Sequence, residues 1–258
     1  MACADGSLEM SHERHVLVVA GSDSSGGAGV ARDVETIGHF GLRSCLAITA
    51  VTVQTHDAVV DVQHMLTSLV VEQMRAALVS NPVAAIKIGM LGRGETVQAV
   101  AGVLTTHAQG LPIVLDPVLV SSSGRVLLDI DALGVLLSSL LPLSTMVTPN
   151  IPELAQLTGT PIAENRTDLL LQAERLIECG AKSVLIKGGH WEGALATDIL
   201  MHADGSVEDF AAPRSKGTMR GTGCMISSAI AAGFAQGNSV SKAVARAKAY
   251  IGMKFQQR

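Results

Sequence analysis

Gly221-Thr222-Gly223-Cys224 lies between a loop and an apolar stretch with helical spacing (Met225, Ile226, Ala229, Ile230). Two glycines at a helix start leave backbone amides free to surround an oxyanion or a phosphate. Cys224 falls in the first helical turn. There the helix N-terminus stabilises a thiolate against the ordinary thiol pKa of about 8.5, which makes the residue a candidate general base at neutral pH. A small residue packed under a turn is the competing reading. Gly21-Ser22-Asp23-Ser24-Ser25-Gly26-Gly27-Ala28-Gly29 follows a β-branched run and precedes a helix. Its glycines let backbone amides approach a ligand, and the helix start favours an anion. It is not a P-loop, because no Gly-Lys-Ser/Thr closes it, and its glycine spacing is not that of a dinucleotide fingerprint. A tight strand-to-helix turn would read the same way.

Three further segments place chemistry at strand ends. In Thr148-Pro149-Asn150-Ile151-Pro152-Glu153, Asn150 and Glu153 stand three apart at a helix start and can face the same way. An amide and a carboxylate so placed suit Mg²⁺ held through water. Equally, Asn150 as N-cap with Glu153 as its capping-box partner explains the pattern. Asp116, in Leu115-Asp116-Pro117-Val118, closes a strand at the end where open α/β sheets gather ligands; an Asp-Pro turn is the alternative. Lys187, in Lys187-Gly188-Gly189-His190, can reach past two glycines toward a phosphate, or stand as a solvated strand end. As single letters, Asp33, Gln54 and Met90 read as a helix-surface acid, a strand-end polar residue and a core filler.

The elements that must position these residues alternate almost throughout. Short apolar or β-rich runs predict strands over 15–20, 44–53, 84–88, 113–115, 145–148 and 183–186, with helical patterns between them, among them 33–40 and 68–79. Beyond Lys187 the rhythm changes. Residues 195–202 and 207–210 flank Asp204-Gly205 and predict a hairpin, because an Asp-Gly pair supplies the positive φ angles of a tight turn. Helices are expected over 222–236 and 239–254. Such alternation argues for a mainly parallel sheet with helices on both faces. No repeat or linker divides the chain, so residues 15–258 are expected to form one domain behind a disordered tail over 1–14.

Composition narrows the classes. Among 258 residues, 48% are hydrophobic but only 2% aromatic, so the core is built from Val, Leu, Ile, Ala and Met. That mixture suits buried parallel strands under small-faced helices. A net charge of −4, with no Lys/Arg cluster, gives no reason to expect a nucleic-acid partner. Apolar runs are interrupted before membrane-spanning length. Cys3, Cys45, Cys179 and Cys224 form no Cys-x-x-Cys pair, which fits reduced thiols and a cytoplasmic location.

With these segments in view, the chain resembles the ribokinase-like superfamily, and within it the hydroxymethylpyrimidine/phosphomethylpyrimidine kinases of thiamin biosynthesis. The matching pieces are A-G-S-D-S-S-G-G-A-G (20–29), T-A-V-T-V-Q ending at Gln54, K-I-G-M-L (87–91), L-D-P-V (115–118), T-P-N-I-P-E (148–153), K-G-G-H (187–190), A-P-R (212–214) and G-T-G-C (221–224). The resemblance implies a ribokinase-like three-layer α/β/α sandwich, ATP as donor, Mg²⁺ as cofactor, and a homodimer by analogy. It implies two transfers, to the pyrimidine hydroxymethyl group and then to the monophosphate. Carried over by position, Asp33 and Gln54 would hydrogen-bond the aminopyrimidine, and Gly21, Met90 and Val118 would line its pocket. Gly221, Thr222 and Gly223 would form the anion hole with the Cys224 amide, and Cys224 would take the place of the base. Lys187 would neutralise ATP phosphates. Asn150, Glu153 and Asp116 would organise Mg²⁺ and its waters. Arg220 departs from the pattern, standing where the family usually has His, as does Met225, where a small polar residue often follows the cysteine; the chain ends at Arg258, where relatives usually continue through a Gly-His-Gly segment. A pyridoxal kinase, or a catalytically inactive pyrimidine sensor, are the alternative readings.

Overall fold

Side chains along a strand alternate between its faces, and β1 (His15–Asp23) is apolar on both. Val16, Val18 and Ala20 join one buried cluster, while Leu17 and Val19 join another. Such a strand needs cover on both sides. The computed structural model describes residues 14–121, 123–188, 194–214, 217 and 219–257. In chain order its elements are β1, α1 (Gly29–His39), β2 (Arg43–Gln54), β3 (Val59–His64), α2 (Thr67–Ser80), β4 (Val83–Ile88), α3 (Gly94–His107), β5 (Ile113–Leu115) and α4 (Ala132–Val135). A π-helical turn (Leu136–Leu140) and a 3-10 turn (Leu141–Leu143) follow. Then come β6 (Met146–Val147), α5 (Ile151–Thr158), α6 (Arg166–Glu178), β7 (Ser183–Ile186), β8 (Leu195–His202), β9 (Val207–Pro213), α7 (Thr222–Ala235) and α8 (Val240–Gln256).

Among the described residues nine strands form one sheet in the order β3-β2-β1-β4-β5-β6-β7-β8-β9. β2, β1, β4, β5, β6 and β7 run parallel. β3, β8 and β9 are antiparallel to their neighbours. Helices α1, α7 and α8 cover the Val16/Val18 face, and α2 through α6 cover the other. Every residue of α7 from Met225 to Ala235 is buried, as expected of a helix that is apolar all round. Small residues let it sit close to α8: a methyl group at Gly233 would come within 2.8 Å of the Ala243 Cβ. This packing is how the sheet is covered with so few aromatics.

Several boundaries correct the sequence reading. β1 does not stop at Ala20 but continues to Asp23, with a register shift between Ala20 and Ser22. α1 starts at Gly29, earlier than expected, and β9 runs on to Pro213. The edge strand β3 was not anticipated. The hairpin forms as expected, but only Gly205 takes a positive φ, at 82°; Asp204 does not, and its carboxylate instead accepts from the Ser206 amide at 2.9 Å. Of the expected tail, residues 1–13 lie outside the described residues; Arg14 donates to the Ala235 carbonyl at 2.9 Å. Among the described residues no helix is long and apolar enough to cross a membrane.

Candidate active site

The chain moves to one side of β1 through β2 and β3, then crosses to the other side at β4. That reversal leaves a crevice beyond the carboxyl ends of the strands, the usual ligand position in such sheets. A cavity of about 550 Å³ occupies it. Gly21, Gln54, Met90, Asp116, Val118, Asn150, Glu153, Lys187 and all of Gly221–Cys224 line it. The early and late glycine segments therefore meet around one space. Gly221 caps α7 with φ 73°, and a side chain there would overlap the Gly27 carbonyl oxygen. Only glycine accepts both demands. Gly29, at φ 59°, is confined in the same way by the Gly21 carbonyl.

Cys224 stands at the cavity wall. Burial pushes its thiol up to about 11; Lys87 and the Gly29 amide pull the other way, and Asp33 and Asp116 reinforce the rise. This corrects the expected helix-terminus effect. The dipole is worth a fraction of the desolvation cost of a buried anion, so in the resting site the residue is a neutral thiol.

Beneath the cavity runs a line of alternating charges. Lys87 Nζ lies 2.8 Å from the Asp33 carboxylate, both side chains fully buried. The other Asp33 oxygen accepts from Ser228 at 2.8 Å. Burial pushes the Asp33 carboxyl up, against the pull of Lys87. Burial would lower Lys87, but Asp33, then Cys224 and Asp116, more than offset it. The 2.8 Å contact and the Ser228 donor hold the two as an ion pair. Asp116 accepts from Lys187 at 2.8 Å, from Ser227 at 3.2 Å and from Thr148 at 3.3 Å. Despite burial, Lys187 and then Lys87 hold its carboxyl below the usual range. Lys187 also lies 3.5 Å from Glu153, whose carboxyl burial raises.

Most of the expected site residues converge here, with one displaced. Asp33 does not line the cavity. It faces the core from the apolar stripe of α1, with Val30 and Ile37, and its oxygens are taken by Lys87 and Ser228. Direct bonding to an aminopyrimidine does not fit that position. The spacing of residues 30, 33 and 37 was the available signal, since it puts an acid on the buried side of a helix. Asp23 and Lys87 line the cavity and had no expected role. A lysine inside the apolar run of β4 signalled a buried ion pair. Gly189 and His190 lie outside the described residues.

Asn150 and Glu153 form a full capping box: the Glu153 amide donates to the Asn150 side chain at 2.8 Å, and the Asn150 amide to the Glu153 carboxylate at 2.7 Å. Among the described residues no group of three or more His, Cys, Asp or Glu is arranged to hold a metal ion. With Asp116 and Glu153 engaged by Lys187, the donor set fits a hydrated cation met through its waters, the habit of Mg²⁺, and does not fit a bare-ion cage.

The phosphomethylpyrimidine kinase family model matches residues 23–258. The hydroxymethylpyrimidine/phosphomethylpyrimidine kinase of Rhizobium meliloti is 42% identical over 91% of this chain and 88% of its own length. The thiamine biosynthesis bifunctional protein ThiED of Geobacter sulfurreducens is 42% identical over 92% of this chain, which spans 48% of that protein. Among solved structures, the phosphomethylpyrimidine kinase of Clostridium difficile aligns with TM-score 0.81 and 33% identity over 93% of this chain and 98% of its own. The Bacillus subtilis pyridoxal kinase, solved as an ADP complex, aligns with TM-score 0.86 and 28% identity over 93% and 91%. The sheet order and the two glycine segments closing one cavity are thus those of a ribokinase-like fold, and the chain belongs to the phosphomethylpyrimidine kinase family.

Proposed function

We propose that this kinase transfers the terminal phosphoryl group of ATP to the hydroxymethyl oxygen of 4-amino-5-hydroxymethyl-2-methylpyrimidine, and then to the resulting monophosphate. The observation that carries the reading is the junction of the early glycine-rich loop with the amide cradle before Cys224 around one cavity. Phosphoryl transfer asks mainly for positioning and charge stabilisation. Gln54, Met90, Val118 and Gly21 receive the pyrimidine. The amides of Gly221–Cys224 face the equatorial oxygens of the transferring group, and Lys187 neutralises donor phosphate charge. Cys224 acts in the first step as a thiolate: its thiol, neutral at rest, first gives its own proton to solvent, and the sulfur then takes the hydroxyl proton as the new O–P bond forms. Asp33 acts through Lys87 and does not touch substrate. Asp116, Asn150 and Glu153 hold the water shell of Mg²⁺, which when bound supplies counter-charge for the transferring phosphoryl.

The purified chain, given MgATP and the pyrimidine alcohol, is expected to form the monophosphate and then the diphosphate, resolved by chromatography. No product with ample enzyme rejects the reading. The pyridoxal kinases among the structural neighbours motivate a second one, decided by comparing kcat/KM for pyridoxal and for the pyrimidine alcohol. Two further readings complete the proposal. Free thiols at Cys45, Cys179 and Cys224 support a reducing, cytoplasmic setting. Exposed Val51, Val53 and Val60 along the β2–β3 hairpin support pairing of two copies, which sedimentation velocity tests.

A further inference from the structure

Among the described residues three cations line the cavity, and they differ in how far their charge is already spent. Lys87 is buried against Asp33, and Lys187 is held between Asp116 and Glu153. Arg220 is different. Its Nη1 donates to two neutral oxygens, Ser25 Oγ at 3.1 Å and the Thr55 carbonyl at 2.8 Å, and its Nη2 reaches one carboxylate, Asp23, at 3.4 Å. Among the described residues these contacts occupy three of the five N–H donors of a guanidinium. Its side chain retains 24% exposure. Its partners lie at the end of β1 (Asp23), in the β1–α1 loop (Ser25) and just after β2 (Thr55), on the side of Gly21 and Gln54. Arg220 is also the residue immediately before the cradle.

We infer that Arg220 is the specificity-determining residue for the second transfer, binding the phosphomonoester of the pyrimidine monophosphate on the acceptor side of the cradle. This rests on the two-step pyrimidine reading above. After the first step the new phosphate lies where the donor's terminal phosphoryl must next be placed. The second step therefore requires that phosphate to withdraw to the acceptor side, and a guanidinium with spare donors is the group suited to hold a phosphate there. In the second step a monophosphate oxygen attacks the donor's terminal phosphorus. The bond from that phosphorus to the leaving nucleoside diphosphate breaks, its electron pair going to the diphosphate oxygen. No proton has to be removed, because a phosphomonoester, with a second pKa of about 6, is already mostly dianionic at neutral pH. Charge placement by Arg220 thus replaces the proton acceptance that the alcohol needs from Cys224.

The test measures kcat/KM for the alcohol and for the synthetic monophosphate separately, together with calorimetric affinity of each in the absence of ATP, for wild type, Arg220→Gln and Arg220→Lys. Arg220→Gln is expected to lower kcat/KM for the monophosphate at least about tenfold more than for the alcohol, and to weaken monophosphate binding by a similar factor. Arg220→Lys, which keeps the charge without the fork, falls between. Alcohol affinity within about threefold of wild type shows that the cavity is still formed. Equal losses for the two acceptors overturn the inference, as does a rise in the ATP KM that is the same in both steps, which would assign the guanidinium to the donor. A wild type that uses neither compound sinks the pyrimidine reading and this inference together; one that uses both, with an unchanged ratio in Arg220→Gln, sinks this inference alone.

Discussion

Cys224 carries a thiol held at about 11 by burial, although an ammonium group lies beneath it. Its reactivity therefore follows the small thiolate fraction, which grows as pH rises toward that value. Alkylation of Cys224 by iodoacetamide, followed by peptide mass spectrometry, is expected to accelerate about tenfold per pH unit across the neutral and mildly alkaline range. A plateau near the ordinary thiol value would mean that burial does not dominate. Lys87 invites a different experiment. Lys87→Met strands the Asp33 carboxylate in the core and is expected to cost about 3–5 kcal/mol in urea denaturation, whereas adding Asp33→Leu returns much of that loss. Losses that simply add would show that the two groups do not act as a pair.

The β1–α1 loop and the start of α7 depend on each other through backbone, because the Gly27 carbonyl fills the space a side chain at Gly221 would take. Gly221→Ala is expected to lower kcat at least about 100-fold while costing only about 1–3 kcal/mol of stability; a variant with full activity would separate the cradle from the chemistry. This dependence was partly legible in the letters. Glycines at the element junctions announced close approaches, and the hairpin announced itself through Asp204-Gly205. What failed to show were features decided by distant partners. β3 has only three valines in six residues and owes its existence to pairing with β2. Gly21 read as the end of a strand, yet β1 continues through it because Ser22 and Asp23 pair with Val51 and Thr52. Asp33 read as a surface acid although its spacing with Val30 and Ile37 puts it on the buried side of α1; what spacing alone does not name is its partner lysine, 54 residues away. The Asn150/Glu153 pattern supported two readings, and the capping box is present whichever role the water shell adds.

Across the whole molecule, a single cavity closed by both ends of the sheet sequence implies that ligand binding is felt on both sides at once. The pyrimidine alcohol at about 100 times its Kd is expected to raise unfolding free energy by about 2.7 kcal/mol. Hydrogen exchange is expected to slow together in the 21–29 loop and in residues 221–224. Protection confined to one segment would show that they do not share the ligand. The pairing of Gly27 with Gly221 also has a temporal side. Protein synthesis runs from the N-terminus, and contacts far apart in the chain form late. A nascent chain that has already made its acceptor loop stays inert on the ribosome until the stretch after β9 emerges and α7 packs beneath the sheet, so activity switches on with the last layer of the sandwich rather than growing with the length made.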